Sequence, residues 1–310
     1  MDYRGQEGTY THFVFKPNEE LEKLIKKYPE DWQLYKLLGR YYLEVMFKYS
    51  NQWLISNEEL LKKARENYLV AYEHNIYDYR SLFDLGYIEL VRQEPNEAIK
   101  YFKKSIELND GYSASQYNLG YAYFSTGKEN DALPYLKKSY TLYLQEKNNE
   151  YAADTARLLT MIYAKKGDHT QAKNYYEEAR QLNIDYLGQK YLLNNILQNK
   201  NDPSLSEYIA TDLWQLDPDN PTIYDDLLSA YFNADSSNDL IKILDKLAEK
   251  NQNEPKYLAS IYFYRGKLEL NLAHQEPAKE YFTKAKEKFI SFDANHPALK
   301  AIDEALNELQ

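Results

Sequence analysis

The chain has no cysteine among its 310 residues. That absence excludes disulfide frameworks, cysteine-ligated zinc and thiol nucleophiles. Glycine and proline are scarce, at 10 each, which argues against an all-β chain built on tight turns. No apolar run approaches the roughly 20 residues that a membrane-spanning helix needs. Positive charge is in deficit: 38 Lys and Arg against 48 Asp and Glu leave a net charge of −10. The resulting field repels phosphate and disfavours nucleic acid as a partner. Met1 to Gly8 carries Asp2, Arg4 and Glu7 and holds no apolar signal-peptide core. The expectation is therefore a cytoplasmic protein, or a periplasmic or envelope-associated one if a leader has been trimmed. The five histidines, at 12, 74, 169, 274 and 296, show no metal-ligand spacing. Asp217-Pro218-Asp219-Asn220 lacks the glycine and distal glutamate of a calcium loop. No metal, cofactor or catalytic residue is expected, and the chain reads as a non-enzyme.

What is abundant is tyrosine, at 33 residues, and internal repetition. Gly86 and Gly120 lie 34 residues apart, as do Ala98 and Ala132, and Ala64 stands another 34 before Ala98. The neighbourhoods match as well: Leu85-Gly86 aligns with Leu119-Gly120, and Ala98-x3-Phe102 with Ala132-x3-Leu136. Small residues at this spacing belong where two helices cross closely, with large apolar residues filling the space beside the contact.

The stretch from Asn118 to Leu142, NLGYAYFSTGKENDALPYLKKSYTL, resembles the tetratricopeptide repeat family, with Leu119, Gly120, Tyr123, Gly127 and Ala132 in signature slots. The resemblance implies an all-α fold, a right-handed superhelical solenoid of about seven helix pairs with terminal capping helices, and it points to a bacterial protein. Units are expected at 32–78, 79–112, 113–146, 153–186, 187–220, 221–254 and 259–292. The repeats are clear over 32–186 and 259–292 and degenerate over 187–254. Extra residues fall around Tyr49 to Asn57 and Gln145 to Tyr151. A helix is expected at Asn18 to Tyr28, and a capping helix at 295–309 through Leu299, Ile302, Leu306 and Leu309. Residues 1–16 read as an extended arm, its His12-Phe13-Val14-Phe15 apolar enough to dock, and 17–310 as one solenoid domain.

In this family the first helix of each pair lines the concave groove. Carried over residue by residue, that gives Lys36, Arg40, Arg80, Phe83, Tyr87, Tyr117, Asn118, Tyr121, Phe124, Arg157, Met161 and Lys165 as the candidate binding surface. Tyr191, Asn195, Asp225, Ser229, Phe232, Phe263 and Lys267 continue it. Aromatic platforms flanked by Arg and Lys suit an extended peptide with acidic and apolar side chains. The plainer reading is ordinary solvated side chains, with tyrosines filling gaps between helices. The chaperone carboxylate clamp is not made: beside Lys36, Arg40 replaces the required Asn and Asp84 takes the middle position. The expected function is a scaffold or adaptor holding a partner protein or peptide. The alternatives are a peptide-sensing receptor and an envelope-associated assembly factor whose anchor is missing from this sequence.

Overall fold

The computed structural model describes residues 17–50, 55–200 and 202–309. The N-terminal arm and the middle of the 49–57 insertion lie outside these residues. Among the described residues there are sixteen α-helices and no strand. They are α1 (Pro17–Lys27), α2 (Trp32–Lys48), α3 (Asn57–Glu73), α4 (Tyr79–Val91), α5 (Pro95–Leu108), α6 (Ser113–Ser125), α7 (Glu129–Gln145) and α8 (Asn149–Lys165). The remainder are α9 (His169–Gln181), α10 (Tyr186–Asn199), α11 (Pro203–Leu216), α12 (Pro221–Asn233), α13 (Ser237–Lys250), α14 (Pro255–Asn271), α15 (Gln275–Phe292) and α16 (Ala298–Glu308). α2/α3 through α14/α15 form seven pairs, with α1 before them and α16 after them. The slack near 145–151 is taken up by α7, which runs on to Gln145, and by the first turn of α8.

Local chemistry sets the helix boundaries. Asp31, Ser56, Asp78, Asp168, Asp185, Asp202 and Asn220 each accept a backbone N–H at the start of a helix. Proline opens α5, α11, α12 and α14, where its missing N–H costs nothing. The turn inside each pair from α4/α5 onward passes through one left-handed residue. This is Gly127 or Gly167 in two of them, and Gln93, Lys200, Asp235 or Ala273 in the others.

Helix crossings follow the repeat. A Cβ on Gly86 would stand 2.5 Å from the Phe102 ring, and one on Gly120 would stand 2.5 Å from Leu136. One on Gly266 would stand 2.8 Å from Phe282. Ala64, Ala98, Ala132, Ala172 and Ala278 are all fully buried. The helices therefore approach so closely that a large side chain of the second helix lies against the bare backbone of the first.

Packing groups the chain into two compact units, 1–155 and 156–310, with the division inside α8. In the first, the leading helices form one layer, α2 touching α4 and α4 touching α6. Leu38, Tyr42, Leu60, Ala64, Tyr68, Leu85 and Ile88 fill the core beneath that layer. In the second unit, α16 closes the stack by laying Leu299, Ile302 and Leu306 on the Phe282 and Phe289 side of α15.

Candidate protein-binding face

The first unit carries a cleft of about 410 Å³ between α2 and α4. Repeat stacking brings Arg80 of α4 to the walls that Lys36 and Arg40 of α2 also line. Lys36 and Arg40 are already engaged there. The Lys36 ammonium donates to Asp78 at 3.0 Å, and Arg40 Nε donates to Glu44 at 2.8 Å. The Lys36 pair is part-buried and the Arg40 pair exposed, and the exposed one stabilises little, but both neutralise the charge a ligand would meet. Arg80 differs: its Nε donates to the Tyr79 hydroxyl at 3.0 Å, and it has no carboxylate partner among the described residues.

Sequence reasoning placed Asp84 only as a residue that spoils the chaperone clamp, and it missed the role of this carboxylate in the cleft. Asp84 accepts a hydrogen bond from the Tyr68 hydroxyl at 2.5 Å. Burial raises its pKa to about 6, outweighing the Tyr68 bond and the Arg40 charge, while Asp78 and Glu44 push it up further. Tyr68 is itself raised well above the usual phenol value, first by burial and then by Asp84. Tyr112 and Phe47 add aromatic surface to the lining. The Glu44 contact was legible, since it stands four residues after Arg40 on one helix. Tyr68 was not, because it descends from α3.

The aromatic members take mixed positions. Tyr87 leans on Phe47 with ring centroids 5.2 Å apart. Phe83 is half-buried against Phe102 and Tyr112, at 5.9 and 5.3 Å. Tyr117 stacks on Tyr121 at 6.5 Å and donates its hydroxyl to Asp154. Tyr121 is 40% exposed. Phe124 is half-buried, and Asn118 returns its amide to the Ala114 carbonyl at 2.9 Å.

Tetratricopeptide repeat family models match residues 79–112 and 112–184. Residues 79–184 of the chain are tetratricopeptide repeats. Repeats of this kind make the chain a protein–protein interaction scaffold in the general sense. Among solved structures, a tetratricopeptide repeat protein from Parabacteroides merdae is 17% identical, with 94% of this chain and 99% of that chain covered and a TM-score of 0.48. Yeast Tom70 is 14% identical, with 94% and 58% covered and a TM-score of 0.47. MamA is 20% identical, with 53% and 85% covered and a TM-score of 0.44. No curated protein matches the chain. None of the described helices is long and apolar enough to cross a membrane.

The second unit of this repeat protein holds the remaining candidates. Met161 is 2% exposed and is not a surface residue. Arg157 folds back over it, one guanidinium nitrogen 3.7 Å from its sulfur, and also covers the Tyr191 ring at 5.0 Å. Lys165 is exposed. Farther along, Lys267 donates to Asp225 at 2.8 Å and lies over Phe263. Tyr191 and Phe232 remain 55% and 57% exposed.

Proposed function

We propose that this protein is a non-catalytic adaptor that holds an extended segment of a partner protein on the first-helix face of its first unit. The observation carrying this reading is the α2–α4 cleft. It is open, it combines a guanidinium lacking a carboxylate partner among the described residues with the aromatic wall of Phe47 and Tyr112, and it lies on the face that this family uses for ligands. Charge-assisted hydrogen bonds from Arg80 orient an acidic side chain, and the rings supply apolar contact area at little entropic cost. Because Lys36 and Arg40 are neutralised within the cleft, one acidic contact suffices and a strongly anionic partner gains nothing further.

The test is affinity capture from native lysate with quantitative mass spectrometry, comparing wild type with an Arg80→Glu/Tyr121→Ala variant. The main captured protein is expected to fall at least tenfold. Equal capture by both forms would remove the first-unit face as the binding surface.

A further inference from the structure

The α2–α4 cleft has a neighbour of opposite character. A second depression of about 450 Å³ runs between α1 and α2, walled by Leu21 and Leu24 on one side and Leu37 and Tyr41 on the other. Leu24 and Leu37 are 41% and 49% exposed and form an apolar pair across the depression. The wall is fixed in place, since the Tyr42 hydroxyl donates to Glu22 at 2.9 Å and so ties α1 to α2.

The two depressions share Leu37, Arg40 and Glu44. These residues form a single ridge along α2, with an apolar trough on one flank and the polar cleft on the other. The ridge is internally neutral because Arg40 and Glu44 satisfy each other. It therefore lets a peptide backbone cross without a charge penalty.

We infer that the two depressions act as one bipartite site for an extended peptide that carries a large apolar side chain and an acidic side chain about three residues apart. This rests on the adaptor reading above. The apolar residue fills the α1–α2 trough between Leu24 and Leu37, and the acidic one pairs with Arg80 beyond the ridge. Adjacent helix axes lie about 8–10 Å apart, and an extended chain advances about 3.3 Å per residue, which sets the spacing. Asp84 is held by the Tyr68 hydroxyl, and no ion pair joins it to Arg80 among the described residues.

The experiment selects from a displayed library of random twelve-residue peptides against the full chain. Kd values of the enriched peptides are then measured by fluorescence anisotropy. Enriched sequences are expected to share the apolar and acidic pair at that spacing. Leu24→Glu and Arg80→Glu are each expected to weaken binding at least tenfold, with circular dichroism confirming that both variants are folded. Replacing the peptide's apolar residue by Ser should abolish sensitivity to Leu24→Glu only, and replacing its acidic residue should abolish sensitivity to Arg80→Glu only. Peptides that need Arg80 but ignore Leu24→Glu, or that show no fixed spacing, overturn the bipartite site and leave the adaptor reading standing. Enriched peptides that ignore both variants overturn both. A wild type that sediments as a dimer and becomes monomeric on Leu24→Glu gives the trough to a second copy and overturns the inference as well.

Discussion

The α4/α5 pair and the α10/α11 pair build the same hairpin from opposite ingredients. At the eighth residue of each helix, α4 and α5 place Gly86 and Phe102, while α10 and α11 place Leu193 and Ala210. All four positions are buried, and the large residue has moved from the second helix to the first. In α12/α13 the same positions hold Leu228 and Leu244. Glycine in the first helix is thus one way among several of building a buried helix pair. The faces differ in parallel. The sixth residue of α4 is Asp84, drawn under the Tyr68 hydroxyl, whereas the sixth of α10 is Tyr191, standing in solvent beneath Arg157.

The largest expected effect tests the exchange of sizes. Phe102→Ala should cost roughly 3–5 kcal/mol by opening a cavity over Gly86. Gly86→Leu alone should cost at least about 1–3 kcal/mol through overpacking, since even a Cβ would meet Phe102 at 2.5 Å. The double variant copies the Leu193/Ala210 arrangement into the first unit and should be more stable than Phe102→Ala alone. Urea unfolding through a double-mutant cycle measures this. A double variant no better than additive would show that the two crossings are not interchangeable.

This comparison also explains what the sequence could disclose. Gly86, Ala98 and Phe102 were readable because a close crossing leaves a small residue at a fixed period. The α10–α13 pairs were readable only through apolar slots such as Leu227 and Leu244, since volume exchange erases the small residue but not the amphipathic spacing. The cleft was legible in its parts: Lys36 and Arg40 share a helix face, and stacking brings Arg80 beside them. Its charge balance was not, because Asp78 reaches Lys36 from 42 residues away and Tyr68 reaches Asp84 from the second-helix layer. Met161 escaped for a similar reason. Helical register gives the direction of a side chain, but not the long neighbour that folds back to cover it.

A second prediction concerns Asp84 against its counterpart Tyr191. The folded pKa of Asp84, about 6, lies above the ordinary aspartate value of 3.8. Between those values the folded state holds more protons than the unfolded state, so this carboxylate contributes a loss of stability as pH rises from about 4 to about 6. Above pH 6 the loss is complete, and below pH 4 it vanishes. Asp84→Asn should therefore gain stability relative to wild type at pH 7.5 but not at pH 4. The change between those pH values should be on the order of 2 kcal/mol, discounted for the partial exposure of the side chain. Paired urea curves at the two pH values measure it. A constant offset between variant and wild type would mean that Asp84 is ionised normally in the fold.

The smallest effect lies in the turns, where glycine and its substitutes can be compared directly. Gly127 and Gly167 hold φ of 71° and 75° at the bend within their pairs, and Gln93 holds 62° at the same place between α4 and α5. A side chain in this left-handed region pushes its Cβ toward the neighbouring carbonyl, which costs about 1–2 kcal/mol that glycine does not incur. Glycine returns part of the difference through the greater freedom of its unfolded chain. Gln93→Gly should therefore raise stability by roughly 0.5–1 kcal/mol. It should leave peptide affinity unchanged, since Gln93 lines neither depression of the proposed site. Thermal unfolding of the single variant, alongside Gly127→Gln as the reverse exchange, decides the point. The two shifts should be opposite in sign. If Gln93→Gly destabilises instead, the Gln93 side chain makes a contact worth more than the strain of its backbone, and the turns of the two pairs are not equivalent.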